Sequence, residues 1–506
     1  MLQFCIKIHV IESSFVVFLR TWRISMKDIL KKALELAQEL GADYADARFS
    51  ELETEAISVK NSAVLGVDSH YDCGVGIRVL FRGAWGFASN PDIFDENRMF
   101  TTVKRAIDLA KAAAKVSKET IKIVDKPRSV DTWDSVFVID PFTVDLEEKL
   151  EILVECCKQM ARVEGVAITR GSMDFFRERK IYMDTEGAEI QQRVLQSGAG
   201  ISCVSLAGGE VHSRSFPSSF RGNHQMGGYE VIKSMNLLEE APRLASEVVS
   251  LHKARMCPSE KMDLIIGKSQ LVLQVHESCG HAVELDRVLG YEANFAGTSF
   301  LTLDKWKNFT YGSDKVNLYQ DGTTSEAIGS AKYDDEGVPC TRTDLVRSGQ
   351  FVGYLKSRDS AAFEDGISNG AARAQGWKNI PIVRMTNIHL APGQETLEEL
   401  IGSTSRGILM EDNSSWSIDD RRWNFQFGTE IGWMIDNGKI TEMVKFPTYT
   451  GITPEFWGNC VGVANQDEWK VWGTPHCGKG QPMQVMRVGH GVSYAKFKEV
   501  RVGVSR

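Results

Sequence analysis

The chain has 506 residues, 42% hydrophobic and 25% charged, with 59 Lys plus Arg against 67 Asp plus Glu for a formal net charge of −8. That composition supports a sizeable core, excludes a disordered chain, and at roughly 150 residues per domain allows about three domains or subdomains. No dense basic stripe is present to displace counterions from a polyanion, so nucleic acid is not an expected partner. No apolar run reaches the roughly 18 residues of a membrane span, so no membrane is expected either.

Residues 1–25 hold an apolar stretch, Val10 to Leu19, broken by Glu12, with Lys7 before it and Arg20 and Arg23 after it. A secretory signal carries its charge in front and a small-residue cleavage site behind. The stretch is therefore expected to be a disordered or spurious extension, with Met26 opening the folded chain. Lys27 to Leu40 reads as an amphipathic helix, with Leu30, Leu34, Ala37 and Leu40 on one stripe and Gly41 as its stop. β-rich segments follow at Glu55 to Lys60 and at Gly74 to Phe87, the second turning at Gly83. Met99 to Val116 and Asp145 to Arg162 are further helical patterns. Ile181 to Leu195 reads as a hairpin about Glu186-Gly187, Gly198 to Gly209 as a strand, and Leu237 to Lys253 as a helix.

Gly227-Gly228 suggests a boundary, dividing an N-terminal α+β domain (26–230) from a C-terminal domain (231–506). The second half opens on a strand, Met262 to Ile266, then a Gly267-Lys268 turn, with Ser269 capping a helix from Gln270 to about Leu289. Beyond it the pattern is mostly β: Val338 to Tyr354, Ile382 to Leu390, Trp423 to Ile435 and Gly438 to Lys445. Asp436-Asn437-Gly438 forms a hairpin turn, and Asp334-Asp335-Glu336-Gly337 a solvated one. The expected class is α+β: an N-terminal region of mixed sheet and helices, then a largely antiparallel, barrel-like domain carrying the 270–289 helix. Ten cysteines without a CxxC pair argue against a disulfide framework and for a reducing cytoplasm.

The chemistry-bearing stretch is His276-Glu277-Ser278-Cys279-Gly280-His281, an HExxxH pattern with two imidazoles that can ligate zinc and a carboxylate that can take a proton from water. Five residues at about 100° each put the rings roughly 140° apart on a regular helix, too far round to share one ion. A π-bulge, or unwinding at Gly280, would restore a common face, so residues 277–281 should not be ideal α-helix. A catalytic zinc takes a third protein ligand. Cys477, in a Gly/Pro-shaped loop, is the leading candidate and His476 its rival. A cysteine hydrolase built on Cys279 beside His276 or His281 is a competing class, and a metal-free peptide-binding subunit is another.

These residues resemble the TldD/PmbA family of metallopeptidases, in its active TldD-type branch. The match runs through His276 to His281, Cys477-Gly478-Lys479, Gly74 to Val79 with Gly83 to Phe87, Asp334 to Pro339, and Arg384-Met385-Thr386-Asn387. The resemblance implies a peptide hydrolase with one Zn²⁺ per active subunit held by His276, His281 and Cys477. It implies small or unfolded peptides as substrates, and Glu277, sited between the two candidate ligands, is the expected general base. It also implies a dimer, formed by this chain alone or with a related inactive subunit. The stretch Tyr291 to Lys332 departs from the family pattern and bears on substrate preference.

Overall fold

The computed structural model of the chain describes residues 26–503, so the expectation for residues 1–25 lies outside the described residues. The architecture is α+β, as the element pattern predicts. The N-terminal part is built on an eight-stranded mixed sheet. Its order is Ala84–Asn90, Ala63–Phe81, Tyr44–Lys60, Val166–Asp184, Glu189–Ala207, Val130–Asp134, with Glu210–Phe216 and Asn223–Met226 also paired to Glu189–Ala207. Gly83 and Gly187 sit in the left-handed region, at φ +73° and +88°, where the turn signals place them. The strands are longer than their alternating segments in sequence. Residues 63–71 run beyond the core and are exposed on both faces, so no period-2 signal marks them.

Residue parity along the strands separates the two faces of this sheet. On the odd side, helices 26–39 and Glu96–Val116 pack on Ala45, Ala47, Phe49, Val75, Ile77 and Val79. Helices Leu146–Ala161 and Leu237–Ser250 cover the same side further along, on Ile57, Val59, Met173, Phe175, Ala199 and Ile201. The even side is polar and meets the C-terminal half. Arg78 bridges Asp46 and Glu336, Lys180 reaches Asp335, and Gln192 and Gln196 donate to the carbonyls of Tyr333 and Ile328. The Asp334-Asp335-Glu336 segment is therefore not a solvated turn. All three side chains are buried, because the turn is wedged between the halves of the molecule, a contact that local sequence does not encode.

In the C-terminal half five strands close on themselves: Arg406–Ile418, Lys261–Ile266, Ala495–Val502, Thr448–Ile452 and Asn424–Asp436, which pairs back to the first. Only the Lys261–Ile266 pairing with Arg406–Ile418 is parallel within that ring. The Asn437-Gly438 turn joins Asn424–Asp436 to Lys439–Lys445, both residues at positive φ. A hairpin of Lys470–Lys479 and Gln484–Val492 stands beside the barrel, and the short strand Ile388–Leu390 lies against it. Helix Lys268–Val275 leaves the barrel strand through Gly267. Gly267, not Ser269, is its N-cap; the Ser269 hydroxyl instead donates to Asp412, 3.0 Å away.

Candidate metal centre

Helix Lys268–Val275 is buried from Ser269 to Val275, and its polar Gln270 and Gln274 are satisfied by the Tyr449 hydroxyl at 2.7 and 3.0 Å. The regular helix stops at Val275. His276–Gly280 is a single π-turn, closed by the His281 N–H on the His276 carbonyl, and His281–Val283 continues as 3₁₀ helix. The expected continuous helix to Leu289 is thus interrupted where the five-residue histidine spacing requires it. The extra residue in the turn brings both imidazoles to one side, with ring centroids 4.9 Å apart. Gly280 has φ −49°, an ordinary helical value, so no backbone strain calls for glycine there. Close packing does: a Cβ at that position would lie 2.2 Å from Met385 Sδ.

Cys477 arrives on the strand Lys470–Lys479 rather than on a loop. The register shifts between Thr474, opposite Val488, and Cys477, opposite Met486, so one extra residue is bulged out. Such a bulge re-aims side chains. It leaves His476 exposed and Cys477 buried. Cys477 Sγ lies 3.3 Å from His276 Nε2 and 3.5 Å from His281 Nε2. Arg384 pins this hairpin by donating to the carbonyls of Cys477 (2.6 Å) and Gln484 (3.2 Å).

Each histidine is held from behind. His281 Nδ1 donates to Glu284 Oε2 at 2.8 Å, and His276 Nδ1 lies 2.9 Å from His490 Nε2. Lys479, two residues beyond Cys477, is buried against Asp286 at 2.6 Å and Glu284 at 3.9 Å, which ties the hairpin to the helix behind His281. Glu277 is paired with Arg422 Nη1 at 2.5 Å. Sequence reasoning missed Glu284, His490 and Arg422. The i, i+3 spacing of His281 and Glu284 was a usable signal; Arg422 carries none.

Burial dominates the electrostatics. It pulls the pKa values of His276 and His281 well below the usual histidine value, so both rings are neutral near pH 7. It pulls His490 down to about 4. Burial pushes the Cys477 thiol up to about 11, with Arg384 acting against the rise. It raises Glu277 too, opposed by Arg422. Cys279 is fully buried beside Tyr311 with its thiol pushed up to about 12, which suits a core residue and not a nucleophile.

His276, Glu277, His281, Cys477 and Arg422 line a cavity of about 930 Å³, with Ser213 and Ser215 on one wall and Asn413, Ser414 and Trp416 on another. Among the described residues, Glu210, His212 and His252 also gather potential ligand atoms. There, however, Lys445 Nζ sits 2.8 Å from both Glu210 oxygens and occupies the carboxylate with a cation. No helix among the described residues is long and apolar enough to cross a membrane.

Three family models match the chain in order: PmbA/TldA metallopeptidase domain 1 over residues 45–114, the central domain over 139–255, and the C-terminal domain over 259–504. A metalloprotease of Methanocaldococcus jannaschii is 31% identical over 455 residues, covering 89% of this chain and 96% of the relative. A zinc metalloprotease TldD homolog of Saccharolobus solfataricus is 24% identical, covering 93% and 99%. The fold is shared with the crystal structure of TldE from Thermococcus kodakarensis, at TM-score 0.68 and 16% identity over 94% of this chain and 99% of that one. A Thermotoga maritima structure, described as a modulator of a DNA gyrase, aligns at TM-score 0.74 and 18% identity over 94% and 99%. With all three domain models matched in order and a relative above 30% identity along nearly its whole length, the chain belongs to the PmbA/TldA metallopeptidase family.

Proposed function

We propose that this chain is a zinc-dependent peptidase that holds one Zn²⁺ per subunit with His276, His281 and Cys477 and uses Glu277 as general base. The observation that carries the reading is the triangle of two imidazole nitrogens and one thiol, converging from residues 196 and 201 positions apart. A tetrahedral zinc with Zn–S of about 2.3 Å and Zn–N of about 2.0–2.1 Å separates S from N by roughly 3.6 Å. The observed 3.3 and 3.5 Å fit that edge. Three protein donors leave a fourth position for water or substrate, the pattern of a catalytic site.

The chemistry supplied by a bound zinc is Lewis acidity toward the scissile carbonyl and acidification of a nearby water. The rest falls to side chains. The Glu277 carboxylate takes the proton of the attacking water and later delivers it to the leaving amine. Arg422 opposes the rise that burial imposes on that carboxyl and fixes its direction. Strand Glu210–Phe216 has a strand partner on one side, sets Ser213 and Ser215 on the cavity wall, and on its other side has the Ser215 N–H taken by Glu430 at 2.8 Å. An extended peptide lying along that edge would be recognised mainly through its backbone, which suits small or unfolded substrates. The nine described cysteines are all free, in keeping with a reducing cytoplasm. For assembly the reading is a dimer, of this chain alone or with a related inactive chain, which the mass of the native protein by light scattering decides.

Glu277→Gln tests the mechanism. The variant should retain stoichiometric zinc by elemental analysis and lose about 10²–10⁴-fold in kcat. Peptide cleavage at the wild-type rate would remove Glu277 from its role. Cys279→Ala should leave the rate unchanged, whereas a cysteine hydrolase built on Cys279 would lose it.

A further inference from the structure

We infer, building on the metal-site reading above, that His490 sets the tautomer of His276 and so decides which nitrogen of that ring is free to ligate. The carbonyl of Ile388 can only accept a hydrogen bond, so its 3.0 Å contact with His490 Nδ1 places the hydrogen on Nδ1. A neutral imidazole carries a single N–H, which leaves His490 Nε2 with a lone pair. That lone pair faces His276 Nδ1 at 2.9 Å. Two lone pairs do not meet at that distance, so His276 Nδ1 carries the hydrogen. The free lone pair of His276 is then on Nε2, the atom 3.3 Å from Cys477 Sγ. A backbone carbonyl thus selects, through two rings in series, the nitrogen that enters the ligand triangle.

The relay is rigid. His490 is fully buried between two glycines. A Cβ on Gly489 would lie 2.4 Å from Asn387 Oδ1, and one on Gly491 would lie 1.8 Å from the Trp469 ring. Asn387 bridges to Gly489, so the segment that carries the Ile388 carbonyl is locked to the strand that carries His490. The two ligands are held differently: His281 leans on the Glu284 carboxylate and His276 on a neutral ring. His490 is a positioning residue, acting only through His276.

The test is zinc affinity of the full chain, measured by competition with a chromophoric chelator, for wild type and for His490→Gln, His490→Asn and His490→Leu. Glutamine presents an amide oxygen near the place of Nε2 and can still accept from His276. Asparagine reaches only as far as Nδ1, satisfying Ile388 and leaving His276 without an acceptor. Loss of such a partner weakens metal binding by about 10–100-fold. The Asn and Leu chains should show that loss, Gln should stay within a few-fold of wild type, and the metal-free unfolding temperature of Asn and Gln should agree. Should the Leu chain fail to fold, the Asn–Gln comparison decides alone. Asn binding zinc as tightly as wild type, or Gln as weakly as Asn, overturns the inference. A wild-type chain that binds no zinc in the same titration overturns the metal-site reading itself, and this relay with it.

Discussion

Cys477 enters the centre as a thiol and must leave its proton to bind a metal. Burial holds its pKa near about 11, while the two imidazoles, pulled well below the usual histidine value, arrive already neutral. Zinc loading at neutral pH should therefore release about one proton per site, all of it from sulfur. Because the proton is a product of binding, affinity should rise about tenfold per pH unit between pH 7 and 8. Calorimetric titration of the metal-free chain in buffers of different ionisation enthalpy measures the count; zero released protons would mean that the thiol is not a ligand. Arg422 poses the complementary question at Glu277. Its guanidinium lowers a carboxyl that burial raises, so Arg422→Ala should raise the Glu277 pKa further. A general base acts in its ionised form, so the acid limb of kcat/KM against pH should move upward, with zinc content unchanged. An acid limb that stays in place would assign Arg422 a role apart from the base.

At the scale of elements, the π-turn His276–Gly280 depends on Gly280 letting Met385 approach. Gly280→Ala should cost about 1–3 kcal/mol by overpacking, and adding Met385→Ala, which clears the sulfur, should restore part of it in denaturant unfolding. A neutral Gly280→Ala would show that the turn relaxes freely. The turn itself was legible in the sequence, since a spacing of five cannot serve one face at 3.6 residues per turn. The stripe of Leu30, Leu34 and Ala37 was legible for the same periodic reason, and all three are buried. Other elements were not. Trp472 to Pro482 is so rich in Gly and Pro that it reads as a loop, yet Lys470–Lys479 is a strand, because a bulge and pairing with Gln484–Val492 override local preference. The barrel strand Arg406–Ile418 hides behind Glu411, Asp412 and Asn413, which look like surface residues. They are buried because Lys268, Arg214 and Gln270, distant in sequence, pair with them. His490 and Arg422 escaped notice likewise: their meaning lies wholly in what folds against them.

For the whole molecule, the centre is a clasp between distant parts of the chain. His276 and His281 hang from a helix that leaves the barrel, and Cys477 from a hairpin beside it, some 200 residues later. An ion held by all three binds the folded state and finds no preformed site in the unfolded one, so its binding free energy adds to folding free energy. Zinc in thousandfold excess over its dissociation constant should stabilise the chain by about 4 kcal/mol. Stripping the metal with a chelator should lower the unfolding temperature by several degrees, and restoring zinc should recover it. Cys477→Ala opens the clasp on one side. It should unfold near the temperature of the metal-free wild type and be indifferent to chelator, which separates loss of the ion from loss of a buried thiol's packing. The N-terminal sheet responds unevenly: strand Asn223–Met226 and Glu178 hold the hairpin directly, through Val471, Gly473 and Arg487, whereas Arg78, Lys180, Gln192 and Gln196 meet the 328–336 segment away from the ligands. Hydrogen exchange on chelation should therefore quicken in residues 276–288 and 470–492 and leave strand Tyr44–Lys60 unchanged. Uniform quickening across both halves would show that the ion supports the entire fold rather than the joint between helix and hairpin.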